Sequence, residues 1–375
     1  MIAVIEDSAS GPYVPLVEGS RRHRSVVATF KPRPLFRRDM SFRGDTPYII
    51  AEVGGNHGGD VETAKRYLKA AAEAGADAVK FQLYRAETLI IEDADPLPLA
   101  SDDVDSQFQR FRNLQLTEAE WRELSALADD HDVDFAASAF DRELANLTAE
   151  LAPFIKVASG EVTNIPFLRH LNDLGEPVVM STGFATMDEI RTAVAQLPDV
   201  DLTLLHCVGS YPTPDEQAHL ELMDVLAEEF DVPVGYSDHT IGVRAPLAAV
   251  ARGATVIEKH FTLDKSKDVG DHRLSANPEE MATIVEESER VAAMVNDWDR
   301  ETYLPVEEEI RTDMRRSLAV SEPVSAGDRL TEDVLTALRP ATGIDPRRID
   351  DVVGARARID LGANSLLTEN DVDLS

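Results

Sequence analysis

A chain of 375 residues, 43% of them hydrophobic, is long enough for one large and one small domain and apolar enough to fill a core. Its 69 acidic against 37 basic residues give a formal charge of -32, which excludes nucleic acid as a partner because that needs a cationic face. No apolar run of about 18 residues and no secretory leader is present, so no membrane association is expected, and a single cysteine, Cys207, fits a reducing cytoplasm.

Residues 1–46 differ from the rest. They carry Arg21, Arg22, Arg24, Lys31, Arg33, Arg37 and Arg38 among prolines with no clear period, and read as a disordered extension. A true start at Met40 and a basic arm that binds a partner are the other readings. From Tyr48 short apolar runs alternate with helical patterns. Strands are predicted over 48–54, 78–84, 134–140, 154–161, 177–183, 202–209, 232–239 and 256–262. Helices are predicted over 61–74, 118–131, 186–197, 242–252 and 278–298. Eight β-α repeats predict an α/β fold, a (β/α)8 TIM barrel over 47–300, with a doubly wound open sheet as the competitor. An acidic stretch with Pro305 predicts a linker over 301–312. Residues 313–375, punctuated by Gly, Pro and Asp, predict a small β-rich domain with a marginal core of its own.

Side chains alternate along a strand, so parity selects those that face into a barrel. One parity collects Glu52, Gly54 and Asn56; Lys80 and Gln82; Ser138 and Phe140; Lys156; Ser181; Cys207, Gly209 and Tyr211; Ser237 and His239; Glu258 and His260. Polar groups thus recur late in all eight strands, at the end where TIM barrels do their chemistry. Burying so many without a ligand would cost about 1–3 kcal/mol each.

Only eight lysines occur, so two inside a barrel are informative. Each needs an anion or a lowered pKa. Lys80 and Lys156, beside Ser181 and Ser237, look like a polyanion cradle. A Schiff-base lysine and a structural pair of Lys156 with Glu161 are the alternatives. His239 and His260 end adjacent strands. Two histidines without a nearby thiolate suit an open divalent-metal site completed by water and substrate oxygens, Mn²⁺ first and Mg²⁺ or Co²⁺ after it. Core packing or proton shuttling would also explain them. Asp238, Asp271 and His272 are close enough in sequence to orient them.

The segments Ala51-Glu-Val-Gly-Gly-Asn-His-Gly-Gly59, Val79-Lys-Phe-Gln82, Lys156-Val-Ala-Ser-Gly-Glu161, Ser181-Thr-Gly183, Leu205-His-Cys-Val-Gly-Ser-Tyr-Pro-Thr-Pro214, Tyr236-Ser-Asp-His-Thr240 and Glu258-Lys-His-Phe-Thr262 closely resemble the N-acetylneuraminate (sialic acid) synthase family. That family includes legionaminic and pseudaminic acid synthases. The segment around Leu338-Arg-Pro340 resembles its antifreeze-like (SAF) domain. The resemblance implies a transferase that condenses phosphoenolpyruvate with an N-acetylated sugar aldehyde and water to give a nine-carbon 2-keto acid and phosphate. The aldehyde would be N-acetylmannosamine or a 6-deoxy-2,4-diacetamido relative, with a 6-phosphate sugar also open.

It further implies that Lys80, Lys156, Ser181 and Ser237 surround phosphoenolpyruvate, with Ser138 keeping a hydroxyl where the family often has Thr. Phe140 and Ser159 are counted with these substrate contacts. Gln82, Glu161, Tyr211 and Asp271 would meet the sugar, Glu52 the reacting carbon, and His239 and His260 the Mn²⁺. Arg339 would enter the partner subunit's site, which implies a domain-swapped homodimer. Gly209 departs from the family's Asn or Ser and removes a side-chain donor to phosphate. A pyruvate aldolase of the Schiff-base type and a non-catalytic sugar-binding protein are the rival functions.

The acidic, lysine-poor composition points to a halophilic source, because such a surface is relieved of self-repulsion and stays hydrated when salt screens charge. The unfolding midpoint is then expected to rise by at least about 10 °C between low and multimolar KCl, followed by circular dichroism. A midpoint indifferent to KCl would leave only an unusually acidic mesophile.

Overall fold

The computed structural model describes residues 42, 46–94, 106–267, 269–295 and 298–374. The chain divides into two compact units, the first ending at Val295. In that unit β1 (Tyr48–Glu52), β2 (Ala78–Leu83), β3 (Asp134–Ala139), β4 (Ile155–Val157), β5 (Val178–Ser181), β6 (Leu202–Cys207), β7 (Val234–Asp238) and β8 (Val256–His260) run parallel and in sequence order. β1 pairs with β8, Glu52 opposite His260, so the barrel is closed and the open-sheet alternative falls.

Helices lie between the strands, among them Val61–Glu73, Glu118–Asp130, Met187–Val194, Arg244–Ala251 and Pro278–Met294. They start where the chain supplies caps: Asp60 accepts from the Thr63 N–H, and Thr117 with Glu120, Thr186 with Glu189 and Asn277 with Glu280 form reciprocal capping boxes. No helix among the described residues is long and apolar enough to cross a membrane.

The barrel interior is layered by the period of two. Ile50, Ala78, Ala136, Phe154, Val179, Leu205 and Val256 form an apolar floor. Two residues on, the same strands present Glu52, Lys80, Ser138, Lys156, Ser181, Cys207 and Glu258, all buried. Gly235 keeps the floor open to close approach: a Cβ there would sit 2.3 Å from the Val256 carbonyl oxygen and 2.7 Å from Leu205 Cδ2. The outward parity packs against the helices through residues such as Val79, Phe81, Met180 and Leu204.

Several expectations are corrected. Strand 4, predicted over 154–161, is only Ile155–Val157, and a 3-10 turn, Ser159–Glu161, follows it. The other strands end one or two residues early, because the motif residues beyond them turn into loops; Gly54, at φ 54°, leaves the extended region outright. Phe42, placed in the extension, instead seals the floor, with its ring edge-on to Tyr48 at 5.2 Å and to Phe154 at 5.7 Å. The rest of the extension, except Thr46, and Met40 with it, lies outside the described residues. The helix predicted to end at 298 ends at Met294.

The second unit begins after Val295, and the predicted linker contains a helix, Pro305–Met314, with Pro305 at its first turn where a missing N–H costs nothing. Here β9 (Ser317–Val320) pairs antiparallel with β10 (Leu335–Leu338), and β11 (Arg356–Ala357) with β12 (Val372–Asp373). Leu318, Val320, Leu330, Val352, Leu367 and Val372 form its core. The short strands and small core are the β-rich module that the sequence predicts.

Candidate active site

Strand register brings the inward polar layer together. Lys80 Nζ lies 2.7 Å from Glu52 Oε2, donates to Ser138 Oγ at 3.0 Å and is 3.7 Å from Glu258 Oε1. Lys156 Nζ donates to Ser181 Oγ at 2.7 Å and to the Val157 carbonyl at 2.9 Å, and is 3.9 Å from Glu258 Oε2. Ser237 Oγ donates to Glu258 Oε1 at 3.2 Å, and Gln82 Nε2 donates to Glu52 Oε1 at 2.9 Å. Glu258 therefore stands between the two lysines. The alternative pairing of Lys156 with Glu161 is not found. Glu161 instead accepts from Asn164 Nδ2 at 2.6 Å, on the turn after β4.

Burial pushes Glu52 above the usual carboxylate range; Lys80 opposes that push and Glu258 adds to it. Burial also lowers Lys156 from the usual lysine value, despite the pull of Glu258. For Lys80 the desolvation is outweighed by Glu258 and Glu52, which hold it above its ordinary value. Burial disfavours the Glu258 anion, but Lys156 and Lys80 outweigh it and keep Glu258 below the carboxylate range. The layer is thus a charged, largely dehydrated ring in which a carboxylate already sits where two cations converge. An anion arriving from solvent meets the same two cations and hydroxyls.

At the carboxyl ends of β7 and β8, where His239 follows the one strand and His260 closes the other, their rings lie 5.4 Å apart. Tyr211 stacks on His239 at 4.0 Å and stands 6.1 Å from His260. His239 Nδ1 is 2.8 Å from the Val208 carbonyl, which can only accept, so Nδ1 is the donor and Nε2 is the nitrogen left to face a ligand. Among the described residues His260 Nδ1 is buried without a hydrogen-bond partner, 3.8 Å from Asp271 Oδ2, and burial lowers its pKa from the ordinary imidazole value, with Asp271 opposing. Two imidazoles this close together fit a divalent ion. Among the described residues no three His, Cys, Asp or Glu side chains converge on one point, so the protein would supply two ligands and leave open positions.

The remaining predicted residues divide. Ser159 Oγ accepts from the Gly183 N–H at 3.1 Å, which joins the turns after β4 and β5. Phe140 packs edge-on against Tyr84 at 6.0 Å, beside the ring rather than in it. Gly209 lies under the ring of Phe184. Asn56, of inward parity, ties loops together through the Phe261 carbonyl and Ser275 Oγ. His272 is engaged with Thr262 Oγ1 at 2.6 Å, so of the three residues expected to orient the histidines only Asp271 approaches a ring directly. Arg339 is exposed in the second unit, its Nη1 3.5 Å from Met314 Sδ, and precedes a cis bond to Pro340.

Three features escaped the sequence reading. Glu258 has the inward parity, and its central position between the lysines needed coordinates. Cys207 Sγ lies 3.8 Å from His239 Nδ1. On the outward parity, Lys259 and Asp238 form a fully buried pair at 2.6 Å, with Lys259 also donating to the Thr240 carbonyl. That pair links β7 and β8 beneath the two histidines, and no periodicity signals it because outward positions are ordinarily apolar.

Residues 67–300 match the NeuB family and residues 315–373 the SAF domain. The N,N'-diacetyllegionaminic acid synthase of Legionella pneumophila is 38% identical over 337 residues, across 86% of this chain and 93% of its own length. The N-acetylneuraminate-9-phosphate synthase of Drosophila melanogaster is 32% identical, across 88% of this chain and 96% of its own. The crystal structure of the N-acetylneuraminic acid (sialic acid) synthetase of Leptospira borgpetersenii serovar Hardjo-bovis in complex with citrate superposes with a TM-score of 0.65 at 34% identity, over 71% of this chain and 90% of that one.

Proposed function

The chain belongs to the NeuB family of sialic-acid-type synthases, and from that premise we propose that it condenses phosphoenolpyruvate with an uncharged, open-chain N-acetylated hexose and water, giving a nine-carbon 2-keto sugar acid and phosphate. The observation that carries this reading is the convergence of Lys80 and Lys156, from separate strands, on one carboxylate among the Ser138, Ser181 and Ser237 hydroxyls. Glu258 has the charge and position that a substrate carboxylate or phosphate would take up. In a protein of charge -32 these buried lysines make the local positive island without which such an anion would be repelled.

In the reaction, the π pair between carbons 2 and 3 of phosphoenolpyruvate bonds carbon 3 to the aldehyde carbon, the aldehyde π pair moves to its oxygen, which takes up a proton to become a hydroxyl, and cationic character is left at carbon 2. Water adds at carbon 2, and the bond between carbon 2 and the bridging oxygen breaks, so that oxygen departs with phosphate. Lys80 and Lys156 hold the anionic substrate and the charge that develops on its leaving group. Glu52, with its elevated pKa and its place beside Lys80, takes the proton of the incoming water. Tyr211, Asp271, Glu161 and Gln82 orient the sugar, with Phe140 and Ser159 shaping the wall. His239 and His260 would hold a divalent ion, Mn²⁺ before Mg²⁺ or Co²⁺, whose contribution when bound is Lewis-acid polarisation of the aldehyde.

The test is phosphate release by the purified protein with Mn²⁺ and phosphoenolpyruvate at high salt, one acceptor at a time. With isotopic label in the bridging oxygen, the label is expected in phosphate; label retained in the organic product would sink the mechanism. Family membership also supports a cytoplasmic homodimer in which Arg339 of each protomer serves the other's sugar site. Arg339→Ala should raise the acceptor KM by about tenfold with the phosphoenolpyruvate KM little changed. Equal effects on the two substrates would count against this role.

A further inference from the structure

Phe184 combines two features that ordinarily exclude each other. Its backbone is left-handed, at φ 60°, a conformation that a bulky residue adopts only under constraint. The residue is nonetheless 71% exposed, so burial does not repay the strain. The ring has a definite seat: a Cβ added to Gly209 would lie 2.1 Å from Phe184 Cε1 and 2.2 Å from Cζ. Any side chain at 209 would have to evict the ring. The missing phosphate donor at 209 is thus one half of a pair, in which glycine makes room for an aromatic.

The surroundings say what the ring faces. Gly183, just before it, donates its N–H to Ser159 Oγ on the turn that also carries Glu161. Gly209 leads through Ser210 to Tyr211, which is stacked on His239. Phe184 therefore stands between a turn that carries Glu161 and a segment that leads to Tyr211, the two residues there assigned to the sugar. Of Ser159, Glu161, Gly209, Ser210 and Tyr211, none is cationic, and Glu161 would repel an anion. Local strain of this kind persists where it serves a ligand.

We propose that Phe184, seated on Gly209, determines acceptor specificity: its exposed face packs on the apolar edge of an uncharged acetamido or deoxy sugar and disfavours a phosphorylated one. This rests on the synthase reading above and names the substrate class within it. The relatives span both classes by name, a diacetyllegionaminic acid synthase and an N-acetylneuraminate-9-phosphate synthase, so the distinction is a real one among similar chains.

The experiment compares wild type, Phe184→Ala, Phe184→Leu and the double variant Phe184→Ala with Gly209→Ser. The acceptors are a 2,4-diacetamido-2,4,6-trideoxyhexose and N-acetylmannosamine 6-phosphate, with folding followed by circular dichroism. Loss of one apolar contact in a pocket is worth roughly 10–200-fold in discrimination. Phe184→Ala should raise the KM for the deoxy sugar at least about tenfold and lower the kcat/KM preference for it over the phosphate by a similar factor, with phosphoenolpyruvate KM nearly unchanged. Phe184→Leu should restore most of the preference, and the double variant, with a hydroxyl at 209 in place of the seated ring, should keep the lowered preference of Phe184→Ala. An unchanged preference in Phe184→Ala, or a wild type that prefers the sugar phosphate, overturns the proposal. A wild type that releases no phosphate with any acceptor brings down the synthase reading itself.

Discussion

His239→Ala and His260→Ala proteins are each expected to fold and to lose Mn²⁺-dependent turnover by about a thousandfold or more. Lewis-acid stabilisation is worth several kcal/mol, and each 1.36 kcal/mol is about a factor of ten in rate. With only two imidazoles in place and no third protein ligand converging among the described residues, removing one leaves a single attachment point. The structural cost differs between the two. His239→Ala removes one donor to the Val208 carbonyl, which keeps the Ser210 N–H at 2.9 Å and Thr213 Oγ1 at 3.4 Å, so the loss is that of one ordinary hydrogen bond, about 0.5–1.5 kcal/mol. His260 Nδ1 has no hydrogen-bond partner, so its replacement forfeits packing and no such bond. Mn²⁺ titration by electron paramagnetic resonance reads the ligand role without reference to activity: binding should weaken in both variants. Retention of full activity and tight Mn²⁺ binding in either would show that the histidines serve packing or proton transfer instead.

The second large effect belongs to Glu52. Glu52→Gln should lower kcat by about 10²–10⁴, the range a positioned acid–base group contributes. The pH profile distinguishes this from a merely structural role. Because burial raises the Glu52 pKa, its basic form is lost on the acid side at a higher pH than for an ordinary carboxylate. Wild-type kcat should therefore fall as pH drops through that raised value, and the acid limb should vanish in Glu52→Gln. For stability the sign is opposite. The raised pKa contributes stability that is present below the unfolded value of 4.5 and is lost as pH rises through the folded value. At neutral pH the Gln variant escapes that desolvation cost but leaves Lys80 with Ser138 and Glu258 alone, so a small net change in midpoint is expected. If the variant keeps its acid limb and only the phosphoenolpyruvate KM rises, Glu52 is a counter-ion to Lys80 and not the base.

Much of the site was legible because two periodicities superpose. The period of two picks Lys80, Lys156, Glu52, Ser181, Ser237 and His260 from the noise of the chain, and the repeat of about 30 residues says that their strands are neighbours. Strand 4 misled because nothing in the run Val157-Ala158-Ser159 marks a break, whereas the chain turns at Ala158; Ser159 and Glu161, of the parity opposite to Lys156, are carried on that turn. Phe42 misled because the basic, proline-rich context around it carries no period, and its role comes from filling a barrel floor that local sequence does not describe.

From the chain alone followed the eightfold repeat, the polar ring at the carboxyl ends of the strands and the second small domain, since each depends on local patterns that hold whatever the neighbours do. What only the tertiary structure decided are the pairings: Glu258 between two lysines, Lys259 against Asp238 behind the histidines, and Phe184 in the space that Gly209 vacates. Those depend on distances between side chains from strands and loops far apart in sequence, and on burial that turns ordinary ionisable groups into a charged ring out of water. Alternation along a strand says which way a side chain points; closure of the barrel says what it meets there.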